Sequence, residues 1–119
     1  MKDLARIFKA LADETRLQMM ALILHEGELC VCDCMQVLEI GQSKASRHLR
    51  YLANAGLLDD RREGTWVYYR VAQELDEDRQ ILLRAIREFV SAARIADLIE
   101  RLAEWSRQKE EGATSCSTN

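Results

Sequence analysis

The stretch Gln42-Ser43-Lys44-Ala45-Ser46-Arg47-His48-Leu49-Arg50 decides how the rest of the chain reads. Ala45, Leu49, Leu52 and Ala53 stand at i, i+4, i+7 and i+8, which lines one face of a helix with small and aliphatic side chains. Ser43, Lys44, Ser46, Arg47, Arg50 and Asn54 are left on the opposite face. Ser43 is placed to cap this helix, and Gly56 ends it. Just upstream, residues 29–38 read as a shorter helix whose buried stripe is Val31, Met35 and Leu38. Ile40-Gly41 is a tight turn between the two. Two short helices joined by a glycine-containing turn, the second with a basic and hydroxyl-rich outer face, make a helix-turn-helix.

Downstream come two extended runs, residues 57–62 and 65–71, around Glu63-Gly64. The second, Thr-Trp-Val-Tyr-Tyr-Arg-Val, is dense in β-branched and aromatic side chains that suit a pleated surface. A β-hairpin directly after a helix-turn-helix is a wing, and Arg61 and Arg62 fall near its tip.

At the N-terminal side, Leu4, Ile7, Phe8 and Leu11 outline an amphipathic helix. Asp13 is placed to cap a second helix, striped by Leu17, Met20, Ala21 and Leu24 and stopped by Gly27. At the other end Asp76 caps a helical pattern that runs for close to thirty residues, through Leu82, Ile86, Phe89, Val90, Leu98, Ile99, Leu102 and Trp105. A helix of that length is more than so small a domain needs for its own core. With the first helix, it is the expected homodimer interface. The expected architecture is therefore mainly α with a small β-hairpin, a winged helix-turn-helix that dimerises through its first and last helices. Residues 1–108 form one domain, and the polar residues 109–119 form a disordered tail.

Charge distribution supports a nucleic-acid partner although the chain's net charge is −3. Residues 42–71 carry Lys44, Arg47, Arg50, Arg61, Arg62 and Arg70 against Asp59, Asp60 and Glu63, whereas both flanks are acidic. Local rather than total charge governs phosphate binding. Lys44, Arg47 and Arg50 suit phosphate contacts. Gln42, Ser43 and Ser46 lie where base edges are reached, and Arg47 can alternatively pair with guanine. Arg61 and Arg62 suit the backbone or the minor groove. His48 reads as an edge or core histidine with no ligand role.

Three of the four cysteines, Cys30, Cys32 and Cys34, fall within five residues, one helix ahead of the DNA-reading face. No apolar run approaches the roughly 18 residues of a membrane span, and the N-terminus has no signal-peptide core. The chain is therefore expected in the cytoplasm, where thiols stay reduced and a disulfide framework does not explain the cluster. Soft sulfur donors select thiophilic ions. Arsenite or antimonite, which prefers three sulfurs, fits this donor set best, with cadmium or lead as alternatives. On a regular helix Cys30 and Cys34 share a face, while Cys32 lies roughly 200° around from Cys30. A three-thiolate site thus requires the helix start to deform. The helix N-terminus is expected to favour thiolate over thiol. Cys116 in the tail is read as an idle thiol, with a distant extra ligand as the alternative. Nothing in the chain resembles a Cys-x-x-Cys redox motif or a βαβ unit, so an enzyme is not expected.

Four segments together resemble the ArsR/SmtB family of metal-responsive winged-helix repressors over roughly residues 3–105. They are Ala10-Leu11-Ala12-Asp13-Glu14-Thr15-Arg16, Glu28-Leu29-Cys30-Val31-Cys32-Asp33, Gln42 to Leu49, and Arg62-Glu63-Gly64-Thr65-Trp66-Val67-Tyr68-Tyr69. The Glu-Leu-Cys-Val-Cys-Asp box is similar to that of arsenite sensors and of cadmium/lead sensors. The resemblance implies a homodimeric repressor on double-stranded operator DNA, with no cofactor while DNA-bound and with As(III) or Sb(III) as inducer. A cadmium-, lead- or thiol-redox-responsive repressor of the same fold is the alternative. Cys30 and Cys32 match the box. Arsenite sensors often place a third cysteine where this chain has Met35, one residue after Cys34. The cadmium/lead pattern adds cysteines ahead of the box, and here none precedes Cys30. The zinc pattern on the last helix retains only Asp97, without histidine.

Overall fold

A computed structural model describes residues 1–112. The elements are α1 (Lys2–Leu11), α2 (Glu14–Glu26), β1 (Glu28–Cys30), α3 (Val31–Leu38), α4 (Gln42–Asn54), β2 (Leu58–Glu63), β3 (Trp66–Val71), α5 (Glu77–Phe89) and α6 (Ala96–Glu110). The expected helix-turn-helix is α3–α4 and the expected wing is β2–β3. The winged helix-turn-helix is therefore present, with a third strand added to the wing.

The middle of the molecule is α2. Asp13 caps it by accepting from the Arg16 amide at 3.0 Å, and Gly27, at φ +98, closes it. Met19, Met20, Ala21, Leu22 and Ile23 are buried in succession, so α2 is enclosed around most of its circumference rather than along the single expected stripe. It packs against α1, α4, α5, β1 and β3. Each such fully buried aliphatic side chain contributes roughly 1.5–3 kcal/mol. Because α2 packs on α4, part of this burial lies directly behind α4.

Two expected elements are divided. Residues 29–38 do not form one helix. Leu29 and Cys30 pair antiparallel with Tyr69 and Tyr68 of β3, giving sheet order β1-β3-β2. The helix starts only at Val31, with Cys30 extended (φ −89, ψ 166) as its N-cap. Backbone hydrogen bonding to the wing holds the first two residues out of the helix.

The long final helix is likewise two. α5 ends at Phe89, and Ser91 accepts from the Arg94 and Ile95 amides across the break. A continuous helix would carry Asp97 on the line of Ile86, 11 residues or about three turns on. The break instead shifts the register, so that Ile95, Leu98, Leu102 and Trp105 become the buried stripe. Asp97 then faces outward to Arg101 at 3.2 Å.

α6 also runs to Glu110, two residues past the expected domain end at 108, because Lys109 has a partner described below. The expected tail from 113 on, with Cys116, lies outside the described residues.

Candidate nucleic-acid interface and thiol site

Gly41, not Ser43, is the N-cap of α4, and no side chain caps this helix. Glu39 takes the left-handed conformation (φ 55) that lets α3 end and the chain turn. Ala45, Leu49 and Leu52 are buried beneath α4. Ser43, Lys44, Arg47 and Arg50 are exposed, and Gln42 and Ser46 are half-buried at the same helix's N-terminal half. The structure thus brings these six expected side chains onto one helix with the basic ones outward.

Arg16, inside a segment that the sequence marked only for its family resemblance, orients this helix. Its guanidinium donates to the Ala10 carbonyl at 2.6 Å and to the Lys9 carbonyl at 3.3 Å. It also meets His48 Nδ1 at 3.1 Å and lies 4.1 Å from the centre of the Tyr51 ring. The end of α1, the start of α2 and the back of α4 are joined through one side chain.

The two wing arginines differ. Arg62 is exposed. Arg61 is half-buried and makes a two-pronged pair with Glu28, Nε to Oε2 at 3.1 Å and Nη2 to Oε1 at 2.8 Å. It donates as well to Glu63 at 2.6 Å and stacks on Tyr68 at 4.5 Å. Its carboxylate partners hold its basicity above the ordinary arginine value. Arg61 therefore ties the wing to β1, the strand that carries the first thiol.

Cys30, Cys32 and Cys34 are all enclosed, with 1%, 0% and 0% exposure. Cys30 and Asp33 form a reciprocal cap: the Cys30 amide donates to Asp33 Oδ2 at 2.9 Å, and the Asp33 amide donates to Cys30 Sγ at 3.4 Å. Burial first, and the Asp33 charge second, push the Cys30 thiol up to about 11. Burial raises the Cys34 thiol as well. This reverses the expected thiolate preference: the helix start is too deeply enclosed for its dipole to prevail.

Among the described residues no three His, Cys, Asp or Glu side chains are gathered closely enough to hold a metal ion. Cys30 and Cys34 are free thiols suited to a thiophile, but Cys32 is disulfide-bonded, so the expected set of three reduced thiols is not assembled around one point. Beyond the expected residues, Asp33 Oδ1 accepts from Trp105 Nε1 at 2.8 Å and from Lys109 Nζ at 2.6 Å. The signal for Asp33 was in the sequence: a side-chain acceptor at the N-cap followed three residues later by an acidic residue is capping-box spacing. Trp105 and Lys109, 72 and 76 residues away from Asp33, left no local signal.

Residues 13–60 match the model of the bacterial regulatory protein arsR family. The chain is 46% identical over 101 residues to the arsenic resistance transcriptional regulator ArsR1 of Pseudomonas putida strain KT2440, covering 80% of this chain and 79% of that one. Among solved structures it is similar to the homodimeric winged helix-turn-helix DNA-binding domain of a possible ArsR-family transcriptional regulator from Mycobacterium bovis, at TM-score 0.63 and 34% identity, over 76% of this chain and 81% of the other. It is also similar to the AntR antimony-specific transcriptional repressor, at TM-score 0.58 and 28% identity, over 73% and 76%. With its helix-turn-helix, its three-stranded wing and this degree of identity, the chain belongs to the arsR family of bacterial transcriptional regulators, a family of DNA-binding proteins and not of enzymes.

Proposed function

We propose that the chain is a homodimeric, cytoplasmic repressor of arsenical-resistance genes that leaves its operator when As(III) or Sb(III) binds its cysteines. The observation that carries this is the position of Cys30, which is at once the last residue of β1, the strand paired to the wing, and the N-cap of the helix preceding α4. In the reduced protein, a ligand taken by Cys30 and Cys32, with Cys34 as the third thiol, opens that cap and disturbs both DNA-facing elements. The inducer assignment draws support from the arsenic and antimony regulators to which the chain is similar. Each thiol that binds arsenite replaces one hydroxyl on arsenic: an As–S bond forms, an As–O bond breaks, and the thiol proton leaves with the hydroxide as water. Cys30 and Cys34 carry free thiols for this exchange, and Cys32 takes part only after a small thiol reductant has opened its disulfide, the reductant itself being oxidised to a disulfide.

Operator DNA is held by Lys44, Arg47 and Arg50 on phosphates and by Gln42, Ser43 and Ser46 at base edges. Arg62 is exposed on the wing, and Arg61 reaches DNA only by relinquishing Glu28. Phe8 on α1 and Phe89 on α5, 53% and 72% exposed, supply an apolar face for the second subunit.

The test is an anisotropy titration of labelled operator with arsenite, antimonite, cadmium and lead on wild type, Cys30→Ala and Cys32→Ser. Release by micromolar arsenite or antimonite that disappears in both variants is expected. Release by cadmium or lead alone would move the assignment to the other thiophiles, and an undiminished arsenite response in both variants would refute it.

A further inference from the structure

The helix α4 does not secure its own ends. Gly41 gives it no side-chain cap, and its last turn holds no basic residue. The last carbonyls of a helix lack partners within it and carry partial negative charge. Here the Tyr51, Leu52 and Ala53 carbonyls accept from the amides of Ala55, Leu57 and Gly56 as the chain turns away. The next two carbonyls are met from other helices. Arg6 Nη1 of α1 donates to the Asn54 carbonyl, and Arg79 Nε of α5 donates to the Ala55 carbonyl at 3.0 Å. The two guanidiniums meet at one atom: Asp3 Oδ1 accepts from Arg6 Nη2 at 2.8 Å and from Arg79 Nη2 at 3.1 Å.

We propose that Asp3 is a positioning residue for DNA reading: through Arg6 and Arg79 it ties the far end of α4 to α1 and α5 and sets the angle at which that helix meets its operator. The proposal rests on the reading of α4 as the base-contacting helix and adds what aims it. Carbonyls at a helix C-terminus point along its axis, so the donors that meet them fix where the axis ends. With 13 residues, α4 is about 20 Å long. A tilt of about 10° at Asn54 moves Gln42 and Ser43 by roughly 3 Å. That is more than a base-edge hydrogen bond tolerates. Long lysine and arginine side chains can follow such a shift on the phosphates. Releasing the clamp is therefore expected to weaken operator recognition and to spare sequence-independent binding. Asp3 and Arg6 are half-exposed, and Arg79 keeps its pair with Asp76 at 2.7 Å, so release leaves no buried charge unpaired.

Asp3→Ala removes the shared acceptor. Arg6→Met keeps the apolar stem and removes one donor, and it serves should Asp3→Ala not fold. Fluorescence anisotropy is read for wild type and each variant on labelled operator and on an unrelated duplex of equal length, across a salt series. Sedimentation of the free protein at the same concentrations follows the dimer. Each variant is expected to lose about ten-fold in operator affinity and to stay within about two-fold of wild type on the unrelated duplex. The slope of log affinity against log salt is expected to be unchanged.

A fall in Tm with the preference for operator intact would mean a merely structural role and would refute the proposal. A slope smaller by about 0.9 in Arg6→Met would make Arg6 a phosphate contact instead. Dissociation of the dimer in step with the lost affinity would place the effect in subunit association. Either result would overturn the positioning role while leaving the repressor reading intact. Wild type without any preference for operator would overturn the reading of α4 on which the proposal rests, and the proposal with it.

Discussion

Arg16 Nη1 stands 3.1 Å from Nδ1 of His48, and the guanidinium can only donate. Nδ1 must therefore be the unprotonated nitrogen, and His48 is neutral with its proton on Nε2. Burial is the largest cause of a His48 pKa below the ordinary 6.5, aided by Arg16, Lys44 and Arg47 and opposed by Asp13. A histidine lowered in the folded state contributes stability that is complete above its unfolded value. That contribution is lost as pH falls through 6.5 toward the folded value. Thermal melts at pH 8 and pH 5 are expected to differ more for wild type than for His48→Gln. An equal difference in both proteins would show that this contact does not titrate with folding.

A second pH dependence belongs to the other end of α1. Hydrogen bonds from Arg79 first, and Arg6 second, hold the Asp3 carboxyl down to about 2 against an ordinary 3.8. Asp3 thus stabilises the fold above 3.8, and that share disappears as pH falls through about 2. Acid titration followed by circular dichroism is expected to give a shallower unfolding curve between these values for Asp3→Asn. Because Asp3 is half-exposed, salt is expected to reduce the difference.

The two adjacent wing arginines are expected to behave differently toward DNA. Arg62→Ala should reduce the slope of log affinity against log salt by about 0.9, as loss of one phosphate contact does. Arg61→Ala should act through the wing's attachment to β1, so Glu28→Gln should reproduce much of its effect. Equal slope losses for Arg61→Ala and Arg62→Ala, with Glu28→Gln silent, would mean that both arginines contact phosphate.

Gly56 sits at φ +80, and a Cβ there would stand 2.7 Å from Arg79 Nε. That same Nε donates to the Ala55 carbonyl at 3.0 Å, so the guanidinium cannot retreat freely. Gly56→Ala is expected to cost about 1–3 kcal/mol in urea unfolding from backbone strain and the close approach. A change within about 0.5 kcal/mol would show that Arg79 relocates without penalty.

The recognition helix and the wing were legible because their signals are local. Ala45, Leu49 and Leu52 repeat at helical spacing, and Trp66 to Val71 is a run of strand-favouring residues. The division of residues 29–38 was not, because Leu29 and Cys30 are extended only through pairing with Tyr69 and Tyr68, about forty residues on. The break before α6 could have been found from the phase of its own pattern, since Asp97 falls where a continuous helix needs an apolar side chain. The exposed basic face of α4 was read correctly from charge alone. The commitment of Arg61 to Glu28 was not, since nothing in Arg61-Arg62 distinguishes one arginine from the other until the sheet register is known.

Cys30 as an N-cap has a consequence for the usual way of probing cysteines. Serine is among the strongest capping residues and alanine among the weakest. Cys30→Ser therefore replaces a weak sulfur acceptor with a better oxygen one and tightens the start of α3, whereas Cys30→Ala removes the side-chain half of the cap and leaves only the amide bond to Asp33. Both delete the thiol, yet they are expected to shift arsenite-free operator affinity in opposite directions. A serine scan of this box would produce a protein locked on its operator for two separate reasons, and the alanine variant beside it tells them apart.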